Sequence, residues 1–288
     1  MSEPSKDVRP VLSAAIANAK DLRSITQARV ALESTGCSIT TRHALEFSLA
    51  HAQARDAVHS RLGVASLLAA LRERGLAAMT VASCAGDRTE YLRRPDLGRR
   101  LGQTSAALLA AAGESREDAG VTGSAVASLS IILADGLSAL ATERHALPVL
   151  DALLPLLGLA QTGETRDTAG GWVMRPIAVA EQARVALGDE VGAALHADAT
   201  VMLIGERPGL SSPDSLGAYI TWAPRPGRTD AERNCVSNIR TEGLDYASAA
   251  ARIAWYLNEG RRLGLTGVGI RESAGLLSGR GPGDAGQR

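Results

Sequence analysis

The chain has 288 residues with 31 basic and 31 acidic side chains, so no overall field draws it to nucleic acid or an anionic membrane. Apolar residues at 45% and charged residues at 22% exclude a disordered or fibrous class, while aromatics at 3% with a single Phe require a core of Ala, Leu, Val and Ile. No apolar run approaches the ~18–20 residues of a membrane span, and three widely spaced cysteines (Cys37, Cys84, Cys235) argue against a disulfide framework and for a reducing, cytoplasmic setting.

In chain order, residues 1–120 predict a helical region. Apolar spacing gives helices at 11–20, 22–32, 41–62 and 64–79, and strand alternation is absent. His43, His51 and His59 recur every eight residues along the third of these, a drifting stripe and not the i,i+4 pair a helical metal site uses. Residues 93–100 place four arginines and an aspartate around Pro95 and Gly98, ahead of a helix to about 112. Such a loop is a solvated turn or a contact for an anionic group or a partner chain, since arginine binds carboxylates and phosphates bidentately.

From about 125 the pattern becomes strand–helix alternation. Residues 128–133 (SLSIIL) predict a buried strand, followed by the turn Asp135-Gly136-Leu137-Ser138 and a helix over 144–159 with Pro148 near its first turn. A strand interrupted at Arg175-Pro176 over 172–179, a helix over 181–196, a both-faces-buried strand at 200–204 and a strand at 218–222 come next. A helix over 246–263 with Asp245 as its cap and a short strand at 267–270 complete the order. The fold class is therefore α/β: a C-terminal doubly wound, mostly parallel sheet over 121–272, preceded by the helical region and followed by a Gly/Ser/Pro-rich tail, 273–288, expected to be disordered.

The chemistry concentrates in residues 200–240. The 200–204 strand stops at Gly205, Glu206 and Arg207 put opposite charges at its carboxyl end, and Pro208-Gly209 re-aims the chain at the place where open α/β sheets bind ligands. The glycine-rich dinucleotide fingerprint, the P-loop and the GxSxG elbow are all absent. Ser211, Ser212 and Ser215 lie near Asp214, but no histidine falls in this passage to activate them, and His145 or His196 could reach it only through the fold.

Three segments of this passage, GERPGL at 205–210, SPDSLGAY at 212–219 and DAERNCVSNIR at 230–240, resemble the signature of the small subunit of ethanolamine ammonia-lyase. The similarity continues in RRPDLGRRL at 93–101, in the 135–138 turn and in ARVALGDE at 183–190. It is close over 91–272 and looser before, chiefly at 41–59. The resemblance implies a Rossmann-like α/β domain that contacts cobalamin, a partner-facing N-terminal region, and a large subunit holding the substrate site and the catalytic residues. It also implies adenosylcobalamin as cofactor. The Asp-x-His-x-x-Gly motif that supplies a replacement lower ligand is missing, so base-on binding is expected. Residue by residue, Val185, Glu206 and Cys235 fall on the family's cofactor contacts, with Arg207, Asn234 and Asn238 as supporting residues; no catalytic or metal-ligating residue is expected in this chain. Some members carry an amino-terminal extension linked to packaging in a bacterial microcompartment, and this amino terminus is short, so packaging stays open. The residues by themselves also admit a self-contained α/β enzyme using Glu206, Asp214 or Asp230 as acid and base, or a scaffold subunit indifferent to cofactor.

Overall fold

The computed structural model describes residues 29–30, 32–114, 126–159 and 171–270. The helix expected over 11–20 and the 273–288 tail lie outside them, and of the 22–32 helix only residues 29, 30 and 32 are described and are not helical. Backbone contacts divide the chain into two units, 1–55 with 209–212, and 56–208 with 213–288. In the first, β1 (Ser34–Thr35) and β2 (Ser38–Ile39) form a minimal antiparallel pair whose turn uses Gly36 at φ 61°. The helix α1 (Thr41–His59) follows as expected, with the Glu46 carboxylate bridging Arg42 Nε at 2.9 Å and the buried His43 Nδ1 at 3.0 Å.

The second unit holds the sheet. After α2 (Val64–Glu73) the chain enters a strand, β3 (Ala78–Ala82), where the sequence predicts helix. Ala, Met and Val read equally as helix formers, and pairing with a later strand decided the conformation. Then come α3 (Arg88–Arg93), α4 (Gln103–Glu114), β4 (Ala127–Ala134), α5 (Ala139–Leu156), β5 (Trp172–Met174), β6 (Ile177–Glu181), α6 (Leu187–Ala194), β7 (Ala199–Gly205), β8 (Leu216–Trp222), β9 (Asn234–Ile239) and α7 (Tyr246–Leu263). The sheet order is β3-β6-β4-β7-β8-β9, parallel through β7 and antiparallel for the last two pairings, with β5 paired to β4. The mostly parallel α/β fold is as expected.

Local chemistry fixes the helix ends. Ser138 Oγ accepts from Ala141 N at 3.3 Å and starts α5 earlier than Pro148 suggested, leaving Pro148 and Pro155 inside the helix. Asp245 Oδ1 accepts from Ser248 N at 2.9 Å, and Gly264 at φ 69° ends α7. Two further expectations are corrected. The helix expected over 181–196 is only α6, because β6 runs to Glu181, Gln182 takes φ 55° and the chain turns at residues 185–186. Residues 267–270 are turn and not strand, with Gly267 at φ 90°. Residues 234–239, for which the sequence predicts no element, are the edge strand β9, whose exposed positions Cys235, Ser237 and Asn238 hid its covered face of Asn234, Val236 and Ile239.

The parallel strands alternate between two cores. Leu129, Ile131, Leu133, Val179, Val201 and Leu203 pack with α5 and α7; Ile132, Ala134, Ala178, Met202 and Ile204 pack with α6 and Leu109 of α4. This follows from the connections. The chain moves one way along the sheet from β4 to β6 and back over β4 from β6 to β7, and right-handed crossovers then put α5 and α6 on opposite faces. The reversal opens a crevice at the carboxyl ends of β4 and β6, beside the end of β7.

Candidate functional site

Two strand ends meet in very close approach. Leu137 N donates to Gly205 O at 2.9 Å, and a Cβ added to Gly205 would lie 2.0 Å from Ser138 O. Gly205 is therefore required by the neighbouring backbone, where the sequence suggested a turn. The chain then bends so that Glu206 N donates to Ser215 O at 2.9 Å, at the entry to β8. The Glu206 carboxylate spans three strands: its Oε2 accepts from Ser215 Oγ and from Asn238 N at 3.3 Å, and its Oε1 is the nearest atom to a Cβ built on Gly217. Asn238, in the left-handed region at φ 58°, aims that N–H.

At the end of β6, one buried carboxylate organises the turn. Asp135 Oδ2 accepts from Gln182 N at 2.9 Å and Arg88 Nη1 at 3.1 Å, while Oδ1 accepts from Ala183 N at 3.0 Å. Arg88 Nη1 also donates to Gly136 O at 2.8 Å, fastening α3 to the end of β4. Tyr91 donates to Ala183 O at 2.8 Å, and its ring carries the Arg88 and Arg184 guanidinium carbons 4.9 and 4.3 Å from its centroid. Arg184 N donates to Gly98 O at 2.7 Å, which fastens the arginine-rich 93–100 loop to the same turn.

These turns wall a cavity of about 420 Å³ whose lining includes Gly136, Arg184, Val185, Glu206, Arg207 and Tyr219. A second cavity of about 460 Å³ shares Arg184, Val185 and Tyr219 and continues to Arg99, Arg228, Asp230 and Arg233. Of the residues singled out from sequence, Val185 lies on both walls and Glu206 on the first. Cys235 flanks them on β9, paired in register with Tyr219. Although Cys235 has open surface, loss of water around its sulfur pushes the thiol up to about 11; the Tyr219 hydroxyl acts against the rise and the Glu206 carboxylate adds to it. Burial likewise raises the Tyr219 phenol, so both groups stay protonated hydrogen-bonding partners at neutral pH. Arg207 lines the first cavity, whereas Asn234 is spent on structure, bonding the Gly267 backbone through both amide atoms at 2.8 and 3.2 Å.

The carboxylates weighed as an acid–base set have separate partners. Glu206 is held by Ser215 and Asn238, Asp230 by Arg233 at 2.8 Å, and Asp214 by Arg144 at 2.8 Å with His145 Nε2 at 3.5 Å. Ser215 donates to Glu206, which leaves it without a histidine base. Among the described residues no three His, Cys, Asp or Glu side chains group so as to hold a metal ion. Sequence reasoning missed Tyr91 and Arg88, whose partners are far away in the chain; Asp135, Arg184 and Tyr219 stood inside quoted motifs without a role.

His145 gives a pH prediction. It is buried, with Nδ1 2.9 Å from the Tyr246 hydroxyl, and burial holds its pKa below the ordinary 6.5 despite Asp214, while Arg144 depresses it further and Glu242 opposes. The unfolded chain then binds a proton first on acidification, so stability present above about pH 6.5 declines as pH falls through that value. Denaturant midpoints from pH 7.5 to 5.5 should show this slope, and His145→Gln should flatten it; an equal slope in both proteins would assign it to other groups.

A family model described as ethanolamine ammonia-lyase light chain (EutC) matches residues 17–271. The chain is 49% identical over 257 residues to the ethanolamine ammonia-lyase small subunit of Pseudomonas paraeruginosa, covering 89% of this chain and 88% of the relative. It is 48% identical over 273 residues to the small subunit of Azotobacter vinelandii (92% and 93% covered) and 48% over 267 residues to that of Pseudomonas putida strain GB-1 (93% and 92%).

Proposed function

The chain belongs to the ethanolamine ammonia-lyase light-chain family, and from that premise we propose that it is the small subunit of a hetero-oligomeric lyase that deaminates ethanolamine to acetaldehyde and ammonia, enclosing adenosylcobalamin against a large catalytic subunit. The observation that carries this reading is the meeting of Val185 and Glu206 on one cavity at the carboxyl ends of the parallel strands, with Cys235 beside it through Tyr219.

The residues present fit such a cofactor. A corrin ring is a broad apolar disc fringed with amide side chains, which need acceptors, donors and apolar contact at its rim. Glu206 offers a carboxylate whose orientation is fixed across three strands, with Oε2 already engaged and Oε1 beside a glycine that leaves it room. Arg184 and Arg207 offer donors, and Val185 supplies the apolar wall. When bound, the cofactor supplies radical chemistry through its cobalt–carbon bond. This chain's part is to bind, orient and exclude water, which limits side reactions of reactive species. Base-on binding is part of the proposal, and no residue of this chain is assigned to the chemical step. The exposed apolar residues Leu45, Phe47 and Leu49 of α1 suit a partner-facing role. No described helix is long and apolar enough to cross a membrane.

The test is to co-express the chain with a large subunit and assay ethanolamine deamination with and without adenosylcobalamin, against each subunit alone. Turnover is expected only with both chains and cofactor. Glu206→Ala removes a charged acceptor worth about 1.5–3 kcal/mol, so cofactor affinity, followed by equilibrium dialysis of the complex, should weaken about 10- to 100-fold. Glu206→Gln, which keeps one acceptor, should fall between. A well-formed complex whose cofactor affinity ignores Glu206→Ala would make the chain a scaffold; turnover by this chain alone would favour the self-contained enzyme.

A further inference from the structure

Glu206 is aimed only as well as the residue that holds it. Its Oε2 accepts from Ser215 Oγ and its N donates to Ser215 O at 2.9 Å, so one residue grips both its side chain and its backbone. Ser215 is buried at the entry to β8. Between Glu206 and Ser215 the chain forms neither helix nor strand and carries Pro208, Gly209 and Pro213, so no ladder within it sets where it returns to the sheet.

That return point is set from α5. Ser138, which caps the helix, donates Oγ to Pro213 O at 2.9 Å. Further along, Arg144 Nη1 donates to Asp214 Oδ2 at 2.8 Å, and His145 Nε2 lies 3.5 Å from the same oxygen. The helix is a firm base: Ala146, Val149, Leu150 and Leu153 are fully buried, and His145 is bound in turn to the Tyr246 hydroxyl of α7 at 2.9 Å. Burial on its own would raise the Asp214 carboxyl, but the Arg144 hydrogen bond and the charges of His145 and Arg144 bring it below the usual carboxylate range, so the tether is ionised at neutral pH. As a stabiliser the pair counts for little, because the Arg144 side chain is 55% exposed and ion pairs so open to water add little to folding. What it supplies is position.

We propose that Asp214 is a positioning residue for the cofactor contact: by fixing the chain against α5 one residue before Ser215, it sets the hydroxyl that orients Glu206. The inference rests on the enclosure reading, since it names what aims the Glu206 carboxylate at the corrin amides. Without the tether the return segment samples several positions and Ser215 Oγ follows it. The carboxylate then keeps Asn238 N, at 3.3 Å, as its fixed donor. A side chain that must be ordered when the cofactor binds subtracts that entropy from the affinity.

The experiment is a double-mutant cycle on the co-expressed two-subunit complex, with adenosylcobalamin affinity read by equilibrium dialysis. Asp214→Ala should weaken binding about five- to tenfold, less than Glu206→Ala does, because Ser215 and Asn238 remain. In the Glu206→Ala background the same substitution should cost less than about twofold, since the residue it acts through is gone. A residue that only supports the fold would weaken both backgrounds equally. Asp214→Asn, which keeps the shape and one acceptor for Arg144, should recover most of the affinity. If Asp214→Ala does not assemble with the large subunit, Arg144→Gln runs the same cycle from the exposed end of the pair. No loss in Asp214→Ala, or an equal loss in both backgrounds, overturns the positioning role and leaves cofactor enclosure standing. If Glu206→Ala itself leaves the affinity unchanged, the Glu206 contact fails and the role of Asp214 fails with it.

Discussion

Asp135→Ala should destabilise the protein by about 3–5 kcal/mol, the usual cost of leaving one member of a buried ion pair alone. The carboxylate is 2% exposed and serves three donors from two other segments, Arg88 Nη1, Gln182 N and Ala183 N. Its loss strands a buried guanidinium and two backbone N–H groups at once. It also frees the turn that presents Arg184 and Val185, so ligand binding should weaken along with folding. Asp135→Asn keeps the size and one acceptor but not the charge, and should lose less. Denaturant unfolding of the full chain measures both; an Asp135→Ala midpoint within the range of ordinary surface substitutions would mean that water replaces the carboxylate and that the turn is held from elsewhere.

Gly205→Ala is the second large effect. A single methyl there would come 2.0 Å from Ser138 O, 2.6 Å from Ser138 C and 2.7 Å from Asp135 O, all backbone atoms of the turn between β4 and α5. A side chain in the way could swing aside, but this backbone is pinned by the Leu137 N–Gly205 O bond and by the Ser138 cap. Overpacking usually costs about 1–3 kcal/mol, and the absence of any movable neighbour puts this case at or above the upper end. A loss of about 3 kcal/mol corresponds to roughly 6–12 °C in melting temperature for a chain of this size. Gly227→Ala is the contrasting control: its added methyl meets nothing within 4 Å, although φ 90° imposes a local strain of its own. If Gly205→Ala melts with the parent protein, β4 and β7 can separate at their carboxyl ends and the cavity wall is softer than the geometry implies.

Legibility followed range in the chain. The 246–263 helix was readable to the residue because its signals are local: an Asp cap, an apolar stripe and a Gly stop. Strands β4 and β7 were readable because burial on both faces leaves continuous apolar runs. Strand β3 was not, since its five residues suit either conformation and its partner, β6, lies about a hundred residues on. Strand β9 was hidden by its exposed polar positions, and the antiparallel direction of β8 and β9 left no trace in composition. The site divides the same way. Glu206 stood out as a charge placed where an apolar strand stops, and Val185 and Cys235 came from motif resemblance. Tyr219 stood in a quoted motif with no role assigned, and Tyr91 had no local signal to find.

By itself the sequence determined the fold class, the place along the chain where chemistry gathers, and the family, because capping, periodicity and motif identity are properties of neighbouring residues. Tertiary structure alone decided that Asp135 gathers donors from residues 88, 182 and 183, that Glu206 is clamped by Ser215 and Asn238, and that Arg99 and Arg184 share a wall with Arg233. The physical reason is that a hydrogen bond, an ion pair or a close backbone contact depends on ångström distances, and those are set by the order in which the strands enter the sheet.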